Sequence, residues 1–238
     1  MDASIPQFLN RENSGPAQVI VGTSTCSKSY SESLISFEVV FPTQFPFHLP
    51  VTTEQALQVF RDTGALLDGH FVLRSGLHSR QYFQCALALQ DMPVVERFGA
   101  ALANQVRSLG IETVIAPALG GLVIGQEVAR QLRVRFIFTE KENGRLALRR
   151  GFRIRAGEPL LVVEDVITQG GRVRETMDIV RGAGGVVKGV AVIVDRSNGS
   201  VDLGVPMFTL IRLKTEAFPA DGLPPDLASI PAVKPGSK

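Results

Sequence analysis

Residues 160–172 decide the fold of this chain and read Leu160-Leu161-Val162-Val163-Glu164-Asp165-Val166-Ile167-Thr168-Gln169-Gly170-Gly171-Arg172. The apolar run predicts a buried strand, and the glycine turn leads into a helix. Ligands of open parallel sheets bind at the carboxyl ends of strands, where Glu164 and Asp165 stand. Glycine turns and helix N-termini bind anions through free backbone N–H groups. We therefore expect a phosphate on 168–172 and sugar hydroxyls on the two acids, although a Glu-Asp pair alone also suits a solvated strand end.

Apolar strands and amphipathic helices alternate around this stretch. Strands are predicted at 113–116, 134–139, 160–164, 186–194 and 205–213, and helices at 93–110, 121–132 and 172–181. Val/Ile/Leu strands separated by helices indicate an α/β fold, a central parallel sheet flanked by helices. Outside this pattern we expect β-like segments at 70–73 and 81–86, a charged break at 140–147 and an irregular tail from 218.

Composition and charge narrow the class of protein. The chain has 238 residues and a net charge of +2, which gives no indication of a nucleic-acid-binding surface. Its apolar runs are shorter than the ~18 residues of a membrane span. Two cysteines, Cys26 and Cys85, form no disulfide framework. We expect a cytoplasmic protein that binds neither nucleic acid nor membranes.

The character of the sequence changes near residue 50. Residues 1–50 contain eight Ser, five Pro and two basic residues, and they show no helix or strand period. Thr52 followed by Gln55 predicts the capping box of a first helix. We expect an extension at 1–50, either disordered or upstream of the true start, and one domain at 51–238.

The acid pair and its Thr/Gly turn resemble the motif by which type I phosphoribosyltransferases bind 5-phosphoribosyl 1-diphosphate (PRPP). The family pattern is four apolar residues, two acids, two apolar residues and a short Thr/Gly loop. Gln169 departs from it, because most members have a small residue there. The resemblance implies the fold of that family, with a small hood from the N- and C-terminal segments, and PRPP bound by Glu164, Asp165, Val166, Ile167, Thr168, Gln169, Gly170, Gly171 and Arg172.

Residues 71–83 resemble the N-terminal element of the orotate phosphoribosyltransferases. That family has a Leu-Lys-Ser-Gly segment, here with Arg74 at the Lys position, followed by paired aromatics, here Tyr82 and Phe83. The resemblance implies that Arg74 approaches the diphosphate and that the aromatic pair helps to form the orotate pocket. It also implies that Arg196 recognises the orotate carboxylate and that Thr168 lies against the orotate ring. An ion pair of Arg196 with Asp195 is the structural alternative.

Two further segments are similar to parts of the same family. The turn at 116–121 stands where members hold the diphosphate, although the Lys that many of them carry there is missing. The basic stretch from 139 to 155 stands where they have a lid that closes over PRPP, usually from the neighbouring subunit of a homodimer. Lys141 occupies the position of their catalytic Lys. A solvated, charge-rich hairpin is the alternative for this stretch.

The resemblance as a whole implies transfer of the phosphoribosyl group from PRPP to orotate, which gives orotidine 5′-monophosphate and diphosphate in pyrimidine biosynthesis. Lys141, Glu164 and Asp165 are the implied catalytic residues. Mg²⁺ is the implied cofactor, held by the diphosphate and water rather than by a cluster of protein ligands. A phosphoribosyltransferase for another nucleobase and a non-catalytic, PRPP-sensing regulator remain the alternatives.

We predict that residues 1–50 are dispensable, because they lack periodicity and because the family resemblance begins at Thr52. A shortened chain that starts at Val51 should match the full chain in melting temperature and in activity. The two chains can be compared by thermal unfolding and by turnover of orotate. A loss of several degrees, or of most of the activity, would show that the segment packs on the domain.

Overall fold

The computed structural model describes residues 51–73, 76–213 and 216–234. The predicted extension 1–50 and the predicted diphosphate-binding Arg74 lie outside the described residues. Within these described ranges, no helix is both long and apolar enough to cross a membrane.

The described part of the chain contains strands and helices in alternation. In chain order these are α1 (Thr53–Asp62), β1 (Leu66–Val72), β2 (His78–Phe83), α2 (Cys85–Leu89), α3 (Met92–Val106), a 3₁₀ turn (Arg107–Leu109), β3 (Thr113–Pro117), α4 (Gly120–Leu132), β4 (Arg135–Glu142), β5 (Arg145–Leu148), β6 (Pro159–Ile167), α5 (Gly171–Gly182), β7 (Val186–Asp195), β8 (Met207–Arg212), β9 (Ala217–Phe218) and α6 (Pro225–Ala228). The helix α1 begins at the predicted capping box of Thr52 and Gln55.

Six of these strands form a central sheet in the order β5-β4-β3-β6-β7-β8. Every neighbouring pair is parallel except β4 and β5. The inner strands β3, β6 and β7 are built almost entirely from buried Val, Ile, Leu and Ala, as strands covered on both faces must be. This arrangement confirms the predicted α/β fold with a parallel sheet.

Helices cover the two faces of the sheet. Consecutive residues of a strand point to opposite faces, so β6 divides its side chains between two apolar layers. Leu161 and Val163 join the layer that contains Phe98 of α3 and Ile124 of α4. On the opposite face, the layer under α5 is formed by Ile115, Ile137, Leu160, Val162, Val173, Met177, Val180 and Val192.

A second, three-stranded antiparallel sheet, β1-β2-β9, is the hood. Segments from the two ends of the described residues build it, because β9 follows the central sheet in sequence and pairs with β2. The C-terminal segment adds a bridge between Phe71 and Val233, and the His70 imidazole hydrogen-bonds the Ile230 carbonyl through Nδ1 (2.8 Å). The expected irregular tail thus contains β9 and α6 and closes the hood.

Two local predictions are wrong. The expected charged break at 140–147 is a hairpin, because β4 continues to Glu142 and β5 returns from Arg145. Asn143 (φ 51°) and Gly144 (φ 85°) form the two-residue connection, and an Asn-Gly pair with positive φ at both positions is the preferred turn of such hairpins. The second β-like segment ends at Phe83, and the helix α2 follows it, with Cys85 buried at its first position.

Candidate functional site

The acid pair lies near the carboxyl end of β6. Glu164 is 4% exposed, and Asp165 is half-buried. Each carboxylate is fixed by a nearby amide: Glu164 Oε1 accepts from Asp165 N at 3.1 Å, and Asp165 Oδ1 accepts from Val166 N at 2.7 Å. The strand thus holds two carboxyl groups next to one another at the edge of the sheet where ligands of this architecture bind.

Burial and the neighbouring acid change the protonation of Glu164. Desolvation, followed by the negative charge of Asp165, raises the pKa of Glu164 to about 9, against the opposing effects of the Asp165 backbone N–H and the Arg172 guanidinium. Near neutral pH the Glu164 carboxyl therefore keeps its proton in the protein alone. It can donate one hydrogen bond and accept others, a suitable partner for the hydroxyls of a sugar.

The turn before α4 approaches the acid pair closely. A Cβ atom on Gly120 would lie 2.7 Å from Asp165 Oδ1, and one on Gly121 would lie 2.8 Å from the Val163 carbonyl oxygen. The turn also contains a cis peptide bond between Ala118 and Leu119, and Ala118 N donates to Thr139 O at 2.7 Å. Only glycine permits this backbone approach. Sequence reasoning identified the turn but missed its contact with the acids, since that contact depends on tertiary packing.

The loop that follows the acid pair leads directly into α5. Thr168 and Gln169 are exposed, Gly170 is buried, and Gly170 adopts a left-handed conformation (φ 76°). The N–H groups in the first turn of α5 have no partner within the helix, and the helix dipole makes this end positive. This short backbone segment is a suitable cradle for an anion, as the sequence predicts.

Arg196 lies where the central sheet meets the hood. Its backbone N donates to the Ile167 carbonyl at 2.9 Å, and its Nη2 reaches the Gln81 carbonyl of the hood at 3.4 Å. The guanidinium carbon lies 5.5 Å from the centre of the Phe83 ring. Nε is buried without a hydrogen-bond partner in the described part of the chain, and burial lowers the pKa of the guanidinium. A half-buried cation that has no carboxylate partner among the described residues is well suited to an anionic ligand.

The alternative ion pair between Asp195 and Arg196 does not form. Asp195 Oδ1 accepts from the amide and the hydroxyl of Ser197 (2.9 and 2.6 Å), and Asp195 Oδ2 lies 3.3 Å from Arg212 Nε. Neighbouring residues at a strand end point in opposite directions, so Asp195 and Arg196 have separate partners. Arg196 is thus left for the edge that carries the acid pair.

The predicted aromatic pair divides into a core residue and a partly accessible one. Phe83 is 5% exposed and packs edge-on against Phe60, with ring centres 5.5 Å apart. Tyr82 is half-buried and lies beside Phe71 (5.7 Å between ring centres). The Phe83 ring therefore packs against the Arg196 guanidinium, and Tyr82 retains accessible surface.

Lys141 lies apart from this group, on the hairpin of β4 and β5. It is exposed and pairs with Leu146 across the hairpin. Its neighbour Glu140 binds the Arg150 guanidinium through two hydrogen bonds (2.9 and 3.0 Å). Lys141 itself takes part in no ion pair with another described residue, and it makes no hydrogen bond to the acid pair there. It lies on the same side of β4 as Ile137 and Thr139, the side covered by α5.

Comparison with known proteins places this geometry in one family. Residues 87–209 match the phosphoribosyl transferase domain. The chain is 49% identical over 185 residues to the orotate phosphoribosyltransferase of Desulforamulus reducens (78% of this chain, 97% of that protein). It is 50% identical over 188 residues to that of Pelotomaculum thermopropionicum (79% and 99%).

Solved structures of related proteins have the same fold as this chain. The orotate phosphoribosyltransferase of Aeropyrum pernix superposes with a TM-score of 0.57 at 26% identity, covering 66% of this chain and 93% of that one. The UMP synthase of Leishmania donovani, at 18% identity, shares the fold with a TM-score of 0.58 over 67% of this chain and 36% of its own.

Replacing Glu164 by Gln should change how stability depends on pH. The folded protein keeps a proton on Glu164 up to a pKa of about 9, whereas the unfolded chain releases it near the ordinary value of 4.5. The contribution of this group to the free energy of unfolding is therefore fully present at low pH and declines as the pH rises between these two values. Glu164→Gln removes the decline, so its stability relative to the unmodified protein should increase from about pH 6 to about pH 9 in urea unfolding.

Asp178→Asn, an exposed change on α5, is the control and should show a constant difference over the same range. A constant difference for Glu164→Gln as well would mean that Glu164 is already ionised in the folded protein.

Proposed function

The chain belongs to the orotate phosphoribosyltransferases, and from this premise we propose how its own residues divide the work of the reaction. The enzyme is a transferase of pyrimidine biosynthesis that moves the phosphoribosyl group of PRPP to orotate, giving orotidine 5′-monophosphate and diphosphate. Orotate N1 attacks C1′ of the ribose while the diphosphate leaves, through a transition state with oxocarbenium character.

The observation that carries the choice of base is the half-buried Arg196 side chain, whose Nε is buried and whose guanidinium has no carboxylate partner in the described part of the chain. Orotate differs from uracil by one carboxylate group. A planar guanidinium binds a carboxylate through two parallel hydrogen bonds, and Arg196 follows the end of β7, beside the end of the strand that carries the acid pair. We assign Arg196 to the orotate carboxylate, with Thr168 and Tyr82 along the ring and Phe83 as the support of the guanidinium.

The PRPP molecule occupies the edge between the acid pair and α5. Glu164 and Asp165 hold the ribose hydroxyls, and the negative charge of Asp165 stabilises the developing cation at C1′. The backbone from Thr168 to Arg172 binds the 5′-phosphate through its amides, and Val166 and Ile167 belong to the PRPP site at the strand end before it. Arg74, outside the described residues, remains assigned to the diphosphate by family resemblance alone.

Charge on the leaving diphosphate has to be neutralised. Mg²⁺ suits this chain, because it binds through few protein carboxylates and keeps several waters, and Asp165 offers one half-buried carboxylate beside the glycine turn. When bound, Mg²⁺ would supply electrostatic stabilisation of the diphosphate. The open backbone at Gly120 and Gly121 accommodates the diphosphate, and Lys141 neutralises its charge when the hairpin closes.

Closure of the hairpin calls for a second subunit in our proposal. The Lys141 side chain makes no ion pair with a described residue of its own chain, whereas Glu140 and Glu142 bind Arg150 and Arg149. We propose a cytoplasmic homodimer in which this hairpin acts as a lid over the site of the neighbouring subunit and excludes water from PRPP. No nucleic acid or membrane takes part in the proposed reaction.

The division of the chain into 1–50 and 51–238 stays part of the proposal. The two relatives are matched over 97% and 99% of their own length by 185 and 188 residues of this chain. A segment of that size is close to the domain predicted from Val51 onward, which supports placing the whole activity in residues 51–238.

Replacing Arg196 by Ala tests the choice of base. The change should lower kcat/KM for orotate ~10–1,000-fold, because a charge-assisted bond contributes ~1.5–3 kcal/mol and each ~1.4 kcal/mol is tenfold. The affinity for PRPP should stay nearly unchanged, since its ligands lie on β6 and α5. Arg196→Lys should recover only part of the loss, because an ammonium cannot form two parallel bonds. Consumption of orotate with PRPP and Mg²⁺, followed by absorbance, is the measurement.

Arg212→Ala removes a nearby cation from the end of the adjacent strand and should leave the KM for orotate unchanged. An equal loss of orotate and PRPP affinity in Arg196→Ala would make Arg196 a structural residue. Absence of orotate turnover by the unmodified enzyme would refute the proposed function itself.

Replacing Lys141 by Ala tests the lid. The variant should lose most of its kcat while its stability changes by no more than ~0.5 kcal/mol, as is usual for an exposed side chain. Lys188→Ala, an exposed lysine near the amino end of β7, should keep its kcat. If the lid is shared between subunits, mixing the Lys141→Ala and Asp165→Asn proteins should restore part of the activity. A near-normal kcat for Lys141→Ala would remove this residue from catalysis.

A further inference from the structure

Arg174, in the first turns of α5, connects two loops at the edge of the site. Its Nη1 donates to the Gln169 carbonyl at 2.7 Å, and its Nη2 donates to the Asp202 carbonyl at 2.9 Å. Gln169 belongs to the phosphate-binding loop, whereas Asp202 lies between β7 and β8, six residues after Arg196. The guanidinium forms no ion pair with another described residue. Its planar N–H donors instead bind two backbone carbonyls.

The bond to Gln169 determines the orientation of one peptide group. A trans peptide is planar, and its C=O and N–H point in opposite directions. With the Gln169 carbonyl held by Arg174, the Gly170 N–H has to point away from Arg174 and from Asp202. In the described part of the chain, neither the Gln169 amide nor the Gly170 amide donates to a protein acceptor. Both remain available to an anion, together with the first-turn amides of α5.

Gly170 packs closely against Arg174 of α5 and against Val201 in the segment between β7 and β8. A Cβ atom on Gly170 would lie 3.0 Å from Arg174 Nη1 and 3.1 Å from Val201 Cγ1. The φ of 76° at this glycine is a conformation that few other residues adopt. The Arg174 backbone N also donates to the Gly170 carbonyl at 2.9 Å. Arg174 therefore hydrogen-bonds the carbonyl on each side of Gly170: the Gln169 carbonyl through its side chain and the Gly170 carbonyl through its backbone N–H.

We propose that Arg174 is a positioning residue that sets the phosphate-binding loop in its anion-binding conformation and couples it to the segment that follows Arg196. This inference rests on the proposed function, because it assumes that the 5′-phosphate binds at Thr168–Arg172. Arg174 acts through the Gln169–Gly170 peptide and does not touch the reacting atoms. Its positive charge adds to the potential at the N-terminus of α5, and the two effects have to be separated experimentally.

Three variants of the full chain separate the effect on loop conformation from the effect of the positive charge. They are Arg174→Ala, Arg174→Lys and the control Arg181→Ala, which changes an exposed arginine on the same helix. Calorimetry measures the affinity for ribose 5-phosphate, which carries the 5′-phosphate, and for Mg²⁺-diphosphate, which does not. Arg174→Ala should weaken ribose 5-phosphate about tenfold or more, the effect of one or two charge-assisted hydrogen bonds, and should change diphosphate affinity by less than about twofold. Arg181→Ala should change neither affinity.

Arg174→Lys keeps the charge but loses the planar fork that bonds the two carbonyls through separate nitrogens, so it should remain closer to Arg174→Ala than to the unmodified enzyme. Full recovery by Lys, or an equal loss of both ligands in Arg174→Ala, would overturn the inference and leave a general electrostatic or structural role.

A measurement without ligand keeps the inference distinct from the proposed function. The ¹⁵N heteronuclear NOE of the Gly170 amide should fall in Arg174→Ala and stay unchanged in Arg181→Ala. An unchanged NOE in Arg174→Ala would overturn the positioning role whatever the enzyme binds. If the unmodified enzyme bound neither ribose 5-phosphate nor PRPP, the proposed function would fail, while the NOE would still decide whether Arg174 fixes the loop.

Discussion

The close packing of helix α4 against the central sheet is the constraint on which the site depends. Cβ atoms on Gly120, Gly121 and Gly125 would lie within 2.9 Å of Asp165, Val163 or Ala116 atoms, so larger residues would force the helix away from β3 and β6. A helix displaced in this way would separate the glycine turn from the acid pair. It would also admit water to Glu164, whose raised pKa follows mainly from burial. Packing and protonation are thus two consequences of the same small residues.

Much of the central sheet could be predicted from the sequence, because buried parallel strands consist of continuous apolar runs. The carboxyl end of β6 was predictable for the same reason, since a charged pair directly after such a run has to stand at the edge of the sheet. The charge of residues 140–147 indicates a break between elements, whereas the Asn143-Gly144 pair within them is a strong signal for the hairpin of β4 and β5. The nature of the base came from family resemblance, not from any physical pattern.

Contacts between distant segments were beyond sequence reasoning. The bonds of Arg174 join residues that are five and 28 positions apart, and no periodicity indicates which carbonyl an arginine will bind. The separation of Asp195 from Arg196 was within reach, since adjacent residues at a strand end point in opposite directions. Proximity of an acid and a base in sequence is therefore a poor guide to their pairing at a strand end.

Arg196 explains how the site can select an acid without a large number of contacts. The guanidinium is held by the Phe83 ring and the Gln81 carbonyl of the hood, while its backbone is bonded to β6. Partial burial of this cation, with no carboxylate partner among the described residues, is unfavourable, as its lowered pKa indicates. Under the proposed assignment, orotate relieves this cost, whereas uracil would bury the cation further and leave it unpaired. A site built around a group that requires a partner rejects a ligand lacking that partner more strongly than an apolar site can. Discrimination between orotate and uracil therefore arises from two sources of similar weight. One is the free-energy cost of leaving Arg196 unpaired when uracil binds, and the other is the hydrogen bonds that orotate forms.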